Sequence, residues 1–164
     1  WPVVAAATTA AVSQLDTMRT AEGAALFADL QQACVAIGEL VEQIRKRVPE
    51  VVAEHRQRLL DRVAKVLETH QARLDDNDVI REVALIADRS DISEELVRLE
   101  SHIEQFRNRL QDTAPGRSLD FLAQELGREA NTIGSKSVDV AIAHAVVDLK
   151  SQVERIREQA ANIE

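Results

Sequence analysis

Apolar residues recur along this chain at alternating steps of four and three. Leu26, Leu30, Ala33, Ile37, Leu40 and Ile44 form one such run. Val52, Arg56, Leu59, Val63, Val66 and His70 continue it, with Arg56 and His70 falling on the seam. Ile92, Leu96, Leu99, Ile103, Phe106 and Leu110 repeat the pattern, as do Ile142, Val146, Leu149, Val153, Ile156, Ala160 and Ile163. This spacing lines one stripe of an α-helix, whereas a strand would alternate its faces every second residue. Several such stripes with short connections predict an all-α helical bundle with long antiparallel coiled-coil-like arms. The composition agrees. Aromatics are 2%, Tyr is absent, and there are five glycines and three prolines, so the core must be built from Leu, Ile, Val and Ala.

Three segments are expected. Residues 1–11 read as a Pro-, Ala- and Thr-rich linker or lead-in. Residues 12–74 read as a long helical hairpin or kinked helix pair, because Pro49 suits a first helical turn and pushes Val48 out of helical geometry. Residues 75–164 read as a C-terminal helical domain. Within it, Asp75 to Asp78 break the chain, with Asp76 or Asn77 as a helix cap, and a short helix carries Val79, Val83 and Ile86. Asp91 and Glu94 have capping-box spacing, Ser118 caps the next helix, and Gly134 ends it. A last helix begins near Val138. Gly23, inside a helix at a cost of about 1 kcal/mol against Ala, suggests close approach of another backbone.

The chain also excludes some functions. A single Cys34 rules out an intrachain disulfide and a zinc finger, and fits a small packed side chain. A net charge of −8 argues against a general nucleic-acid binder, but leaves room for a local basic patch or an acid-rich metal site. No Gly-rich phosphate loop or Ser/His/Asp order is present. No unbroken apolar run is long enough to cross a bilayer, so a cytoplasmic protein without membrane contact is expected.

Functional side chains are densest from Leu119 to Lys136. Leu119, Leu122, Leu126, Ala130 and Ile133 supply the core face of a helix. Glu129 lies three residues after Leu126 and four before Ile133, which turns a carboxylate toward partner helices. An acid there needs a cation, a donor or a metal, since an unpaired buried charge costs several kcal/mol, roughly. A salt bridge to Arg128, Lys136 or a lysine on another helix would suffice. Around it stands an acid-rich set with interleaved bases: Glu82, Asp88, Asp91, Glu95, His102, Asp120, Glu125 and Glu129, with Arg117, Arg128, Lys136 and Lys150. Carboxylates suit Mg²⁺ or Mn²⁺, which can activate water against a phosphodiester. His102 suits proton transfer near neutral pH. Capping by Asp91, a flank salt bridge of Glu95 with Arg98, and a solvated face explain much of the same set without chemistry.

The segment QELGREANTIGSK resembles the QE-x-x-RE-[AS]-NT-x-x-SK block of the YicC-like family of bacterial proteins. The similarity extends upstream through Glu82–Phe106 and Gly116–Leu122, and downstream through Val146–Glu164, which resembles the family's ELK-x-x-IE-x-x-REQ-x-QNIE ending. It begins near Arg19, where Arg19, Glu22, Gly23 and Leu26 fit an R-x-x-EG-x-x-L pattern. A WP-x-V segment lies near the middle of family members, so the chain is expected to be the C-terminal part of a longer protein.

The resemblance implies a divalent-metal-dependent endoribonuclease that cleaves single-stranded RNA and assembles as a hexamer. Carried over by motif, the residues of interest are Asp88, Asp91, Glu95, His102, Asp120, Glu125, Arg128, Glu129, Asn131 and Lys136. The expected roles are His102, Asp120, Glu125 and Glu129 in catalysis; Asp91, Glu95, Glu125 and Glu129 on Mn²⁺ or Mg²⁺; and Arg117, Arg128, Asn131 and Lys136 on RNA phosphate. Two departures bear on this. The family's pair of arginines before LDF is Arg117-Ser118 here, and its Asn before the RE pair is Gly127. A non-catalytic helical module for oligomerisation or interaction is the competing expectation, and the seams support it directly.

Overall fold

A computed structural model of the chain describes residues 1–70, 80–81, 84–85, 87, 91–112, 115–161 and 163, without the side chains of 66–70. The expected break at Asp75–Asp78, the side chain of His70, and Glu82, Val83, Ile86 and Asp88 lie outside the described residues. Four long helices are described: α1 Pro2–His70, α2 Ser93–Arg109, α3 Gly116–Lys136 and α4 Val140–Ala160. Each packs on its neighbours in chain order, and α4 closes the ring on α1. Contacts at the two ends set the directions. Arg45 of α1 reaches Glu100 of α2 at 2.6 Å, and Lys136 at the end of α3 meets Glu95 near the start of α2. Arg47 of α1 meets Asp139 before α4, while Arg155 near the end of α4 pairs with Asp29. Helices α2 and α3 therefore run antiparallel, as do α4 and α1, and the links α2–α3 and α3–α4 are short.

The seams form the core. Leu30, Ile37 and Ile44 of α1, Leu99 and Phe106 of α2, Leu119, Leu126 and Ile133 of α3, and Leu149 and Ile156 of α4 are all essentially inaccessible to solvent. Each such side chain contributes on the order of 1.5–3 kcal/mol by leaving water. Ala123 and Ala130, also fully buried, let α3 lie close to its neighbours. Cys34 belongs to this core, and burial pushes its thiol up to about 11, which leaves it a packed, unreactive group.

Several local expectations change. The lead-in is helical from Pro2, because Ala5–Ala7, Ala10 and Ala11 are strong helix formers. Thr8 returns its hydroxyl to the Val4 carbonyl at 3.0 Å. The helix also continues through Pro49 instead of restarting there. Trp1 and residues 2–25 of α1 are exposed, forming an arm whose later turns, from Leu15, line a cleft with Leu110, Pro115 and Ile163. Gly23 meets nothing where a Cβ would stand, so the expected close backbone approach is absent among the described residues. Gly134 lies inside α3, which ends at Lys136. A Cβ on it would stand 3.1 Å from Val146 Cγ1, so close packing against α4 accounts for the glycine. Ser118 lies within α3 and donates to the Pro115 carbonyl, while Asp139 caps α4 by accepting from the Ile142 N–H at 3.0 Å.

Helix α1 also contains an 18-residue window of mean hydropathy at least 1.2, 28% of it buried. By length and composition it is thus apolar enough to cross a membrane, unlike the expectation from unbroken runs. A core helix of a bundle passes the same test when it is mostly buried, and this window is not.

Candidate metal and phosphate site between α2 and α3

Antiparallel packing turns two sequence stripes toward each other. On α2, Glu95, Arg98 and His102 follow one flank. On α3, Glu125, Glu129 and Lys136 follow the facing one. The helices then bring these groups together in reverse order, from Glu95 with Lys136, through Arg98 with Glu129, to His102 with Glu125 and Glu129.

Glu129 sits at the centre. It is buried, between the fully enclosed Leu126 and Ile133. The inward acid expected from its spacing is therefore real, and its cation comes from across the interface. Arg98 donates to Glu129 Oε1 at 3.5 Å and to Glu94 at 3.0 Å. Arg128 instead lies 3.8 Å from Glu125, and Lys136 turns to Glu95. Arg98 was not among the expected site residues. Its position three after Glu95 and four before His102 marks it as part of the same flank, but a flank salt bridge with Glu95 explained it locally. Glu95 faces α3 and is itself buried, so its partner has to come from that helix.

His102, Glu125 and Glu129 form a group in which one ring nitrogen and two carboxylate oxygens all lie within 4.8 Å of one another. His102 and Glu125 are half-buried. Among the described residues, none is a hydrogen-bond partner of the enclosed His102 Nδ1. A buried donor or acceptor without a partner is costly, so this nitrogen is suited to a ligand or a bound water. The donor set fits a hard divalent ion, and its imidazole favours Mn²⁺ over Mg²⁺. Ligand atoms on an octahedral ion of this size are at most about 4.2 Å apart, so small side-chain movements would close the group on it.

Asp91 and Glu95 do not join that group. Lys136 Nζ donates to Glu95 Oε1 and to the Asp91 carbonyl, both at 2.9 Å. Burial opposes ionisation of Glu95, but Lys136, its own backbone N–H and Arg98 outweigh it and hold the carboxyl below its usual range. Asp91 is held low by Ser93, whose backbone N–H it accepts at 2.9 Å, a role at the start of α2. The Lys136 ammonium, expected on phosphate, is thus occupied by protein oxygens here. Asp120 accepts from Gln124 at 2.8 Å, away from the group. Arg117 and Asn131 are exposed, the first in the opening turn of α3 and the second on a different face from Glu129. Arg128 is exposed at the rim, within reach of Glu125.

Residues 44–164 match the family model described as Endoribonuclease YicC-like, C-terminal. A protein named Probable endoribonuclease YicC from Clostridioides difficile (strain 630) is 42% identical over 165 residues, which cover 100% of this chain and 56% of that protein. One of the same name from Haemophilus influenzae is 40% identical over 148 residues, covering 90% of this chain and 50% of the relative. The chain spans about half the length of these curated relatives. The match takes in the last part of α1 and all of α2, α3 and α4, including the facing stripes: the chain belongs to the YicC-like family and carries its C-terminal domain.

Proposed function

We propose that this domain carries the cleavage site of a divalent-metal-dependent endoribonuclease acting on single-stranded RNA. The observation that carries the proposal is the convergence of His102, Glu125 and Glu129 from two helices, with a buried ring nitrogen left unpartnered. Names of the relatives support RNA as the substrate. Glu125 and Glu129 would hold Mn²⁺ or Mg²⁺ through their carboxylates. Such an ion supplies a nucleophilic water and neutralises charge on the phosphodiester. His102 stands at the third corner, where a ring nitrogen can complete the ligand set or exchange a proton with the reacting water. Arg98 and Arg128 flank the group and supply positive charge for phosphate in a chain that is acidic overall.

The test is cleavage of a labelled single-stranded RNA by the full-length protein and by this domain, with Mn²⁺, with Mg²⁺ and with EDTA. Metal-dependent cleavage by both is expected. Cleavage by the full-length protein alone would make these helices one half of a composite site, and cleavage by neither would remove the proposal. His102→Gln separates the two histidine roles. Weakened Mn²⁺ binding marks a ligand, and intact binding with lost cleavage marks a proton carrier.

Self-association is a second part of the proposal. Val3, Val4, Val12, Leu15 and Met18 are more than half exposed on the α1 arm, and a lone helix gains by covering such residues. Removal of residues 1–24 is expected to lower the mass measured by light scattering while leaving the bundle folded.

A further inference from the structure

We propose that Arg98 is an exchangeable counter-ion: it occupies Glu129 while no metal is bound, and when a metal takes that carboxylate it turns to the RNA phosphate. This rests on the metal-dependent reading above and assigns a role to a residue outside the metal group. Glu129 is almost wholly buried, and among the described residues the charged partner it meets is Arg98, at a loose 3.5 Å. A buried carboxylate without a cation is unstable, so this contact supplies the charge that Glu129 needs. Yet the guanidinium is not locked in place. The Arg98 side chain is 54% exposed, and a second branch already reaches Glu94 at 3.0 Å on the outer surface. Helix α2 also places it one turn from His102, on the same flank.

A divalent ion on Glu125 and Glu129 would stand within a few ångströms of that guanidinium. Like charges at such range repel, and both compete for one carboxylate. The exposed arm of Arg98 gives it an outward path. A phosphate approaching the ion would find it there, and the planar guanidinium suits two phosphate oxygens. Substrate and metal would then each favour the other's binding, because both draw Arg98 away from Glu129.

The test uses Arg98→Gln and Arg98→Lys in the full-length protein. Mn²⁺ binding is followed by electron paramagnetic resonance without RNA, and thermal melting is followed with EDTA and with Mn²⁺. Arg98→Gln is expected to bind Mn²⁺ about five- to tenfold more tightly, since a competing cation is gone. It should melt lower than the parent in EDTA, regain that loss with Mn²⁺, and show a raised KM for RNA. Arg98→Lys keeps the charge, so its Mn²⁺ affinity should stay near the parent's. An arginine with a purely structural role moves Mn²⁺ affinity the other way, so weaker or unchanged binding in Arg98→Gln overturns the proposal. Equal tightening in Arg98→Lys overturns it as well. Absence of Mn²⁺ binding in the parent and in both variants removes the metal reading itself. Binding that is lost in Glu125→Gln, with no response to Arg98 changes, removes only the exchange.

Discussion

The α4–α1 and α2–α3 interfaces of this bundle both carry charge, and they treat it differently. Between α4 and α1 the polar groups lie at the ends and are satisfied. Arg47 meets Asp139, Glu50 and Glu54, and Asp139 also caps α4. Arg155 pairs with Asp29 at the other end. Between α2 and α3 the polar groups lie along the length of the helices, two of them buried. Among the described residues, Glu95 Oε2 and His102 Nδ1 are enclosed there without partners, and Glu129 meets Arg98 at a long 3.5 Å. Native proteins satisfy nearly all buried polar atoms, so shortfalls gathered in one seam point to something that seam is shaped to bind. Charge is common to both interfaces, and among the described residues the unmet hydrogen bonding lies in the α2–α3 seam.

The largest effect expected from this contrast is on activity. Glu129→Gln should lower cleavage of single-stranded RNA at least about a hundredfold, with little change in melting temperature. If assembly collapses instead, Glu129 is a structural partner and the contrast fails. Next comes a change at the end of the bundle. A Cβ on Gly116 would fall 2.5 Å from the Ile163 carbonyl oxygen, so Gly116→Ala should cost about 1–3 kcal/mol in urea unfolding. An unaltered midpoint would show that the C-terminal segment yields without cost. Asp139→Ala removes a helix cap and should cost about 1 kcal/mol, with metal binding untouched. A metal-binding defect in that variant would mean the two interfaces are coupled.

Acid should probe both interfaces together. Asp139 is held low by Arg47 first, and Glu95 and Asp91 are also below their ordinary values of 4.5 and 3.8. Groups with lowered pKa add stability that is complete above the unfolded-chain values and is lost as the pH falls through the folded ones. The urea midpoint should therefore be flat above about pH 5 and decline below about pH 4. Glu95→Gln should start lower and decline less steeply, and an identical slope would place the acid response elsewhere. The smallest effect belongs to the rim. Arg128 is highly exposed and 3.8 Å from Glu125, so Arg128→Gln should change stability by less than about 0.5 kcal/mol, while the salt dependence of RNA binding becomes shallower.

The helices were legible because their cause is local. Leu119, Leu126 and Ile133 mark a buried stripe by spacing alone, and the same spacing aimed Glu129 inward. Errors came where spacing has no authority. Pro49 and the alanine-rich start did not interrupt α1, since a helix already fixed by its bundle segment tolerates one missing hydrogen bond and extends through good helix formers. Gly134 read as a stop is instead a packing residue, because the Val146 side chain it admits lies on another helix.

The sequence by itself determined that this protein is a set of aliphatic-seamed helices, and that carboxylates, a histidine and several bases share two of them. Only the tertiary structure decided which of these meet. Arg98 and Glu129 are 31 positions apart, and Lys136 and Glu95 are 41 apart. A helical repeat fixes which way a side chain points on its own helix. The register between two helices is set by how their apolar side chains interdigitate, and that register separates the Glu95–Lys136 pair from the group of His102, Glu125 and Glu129.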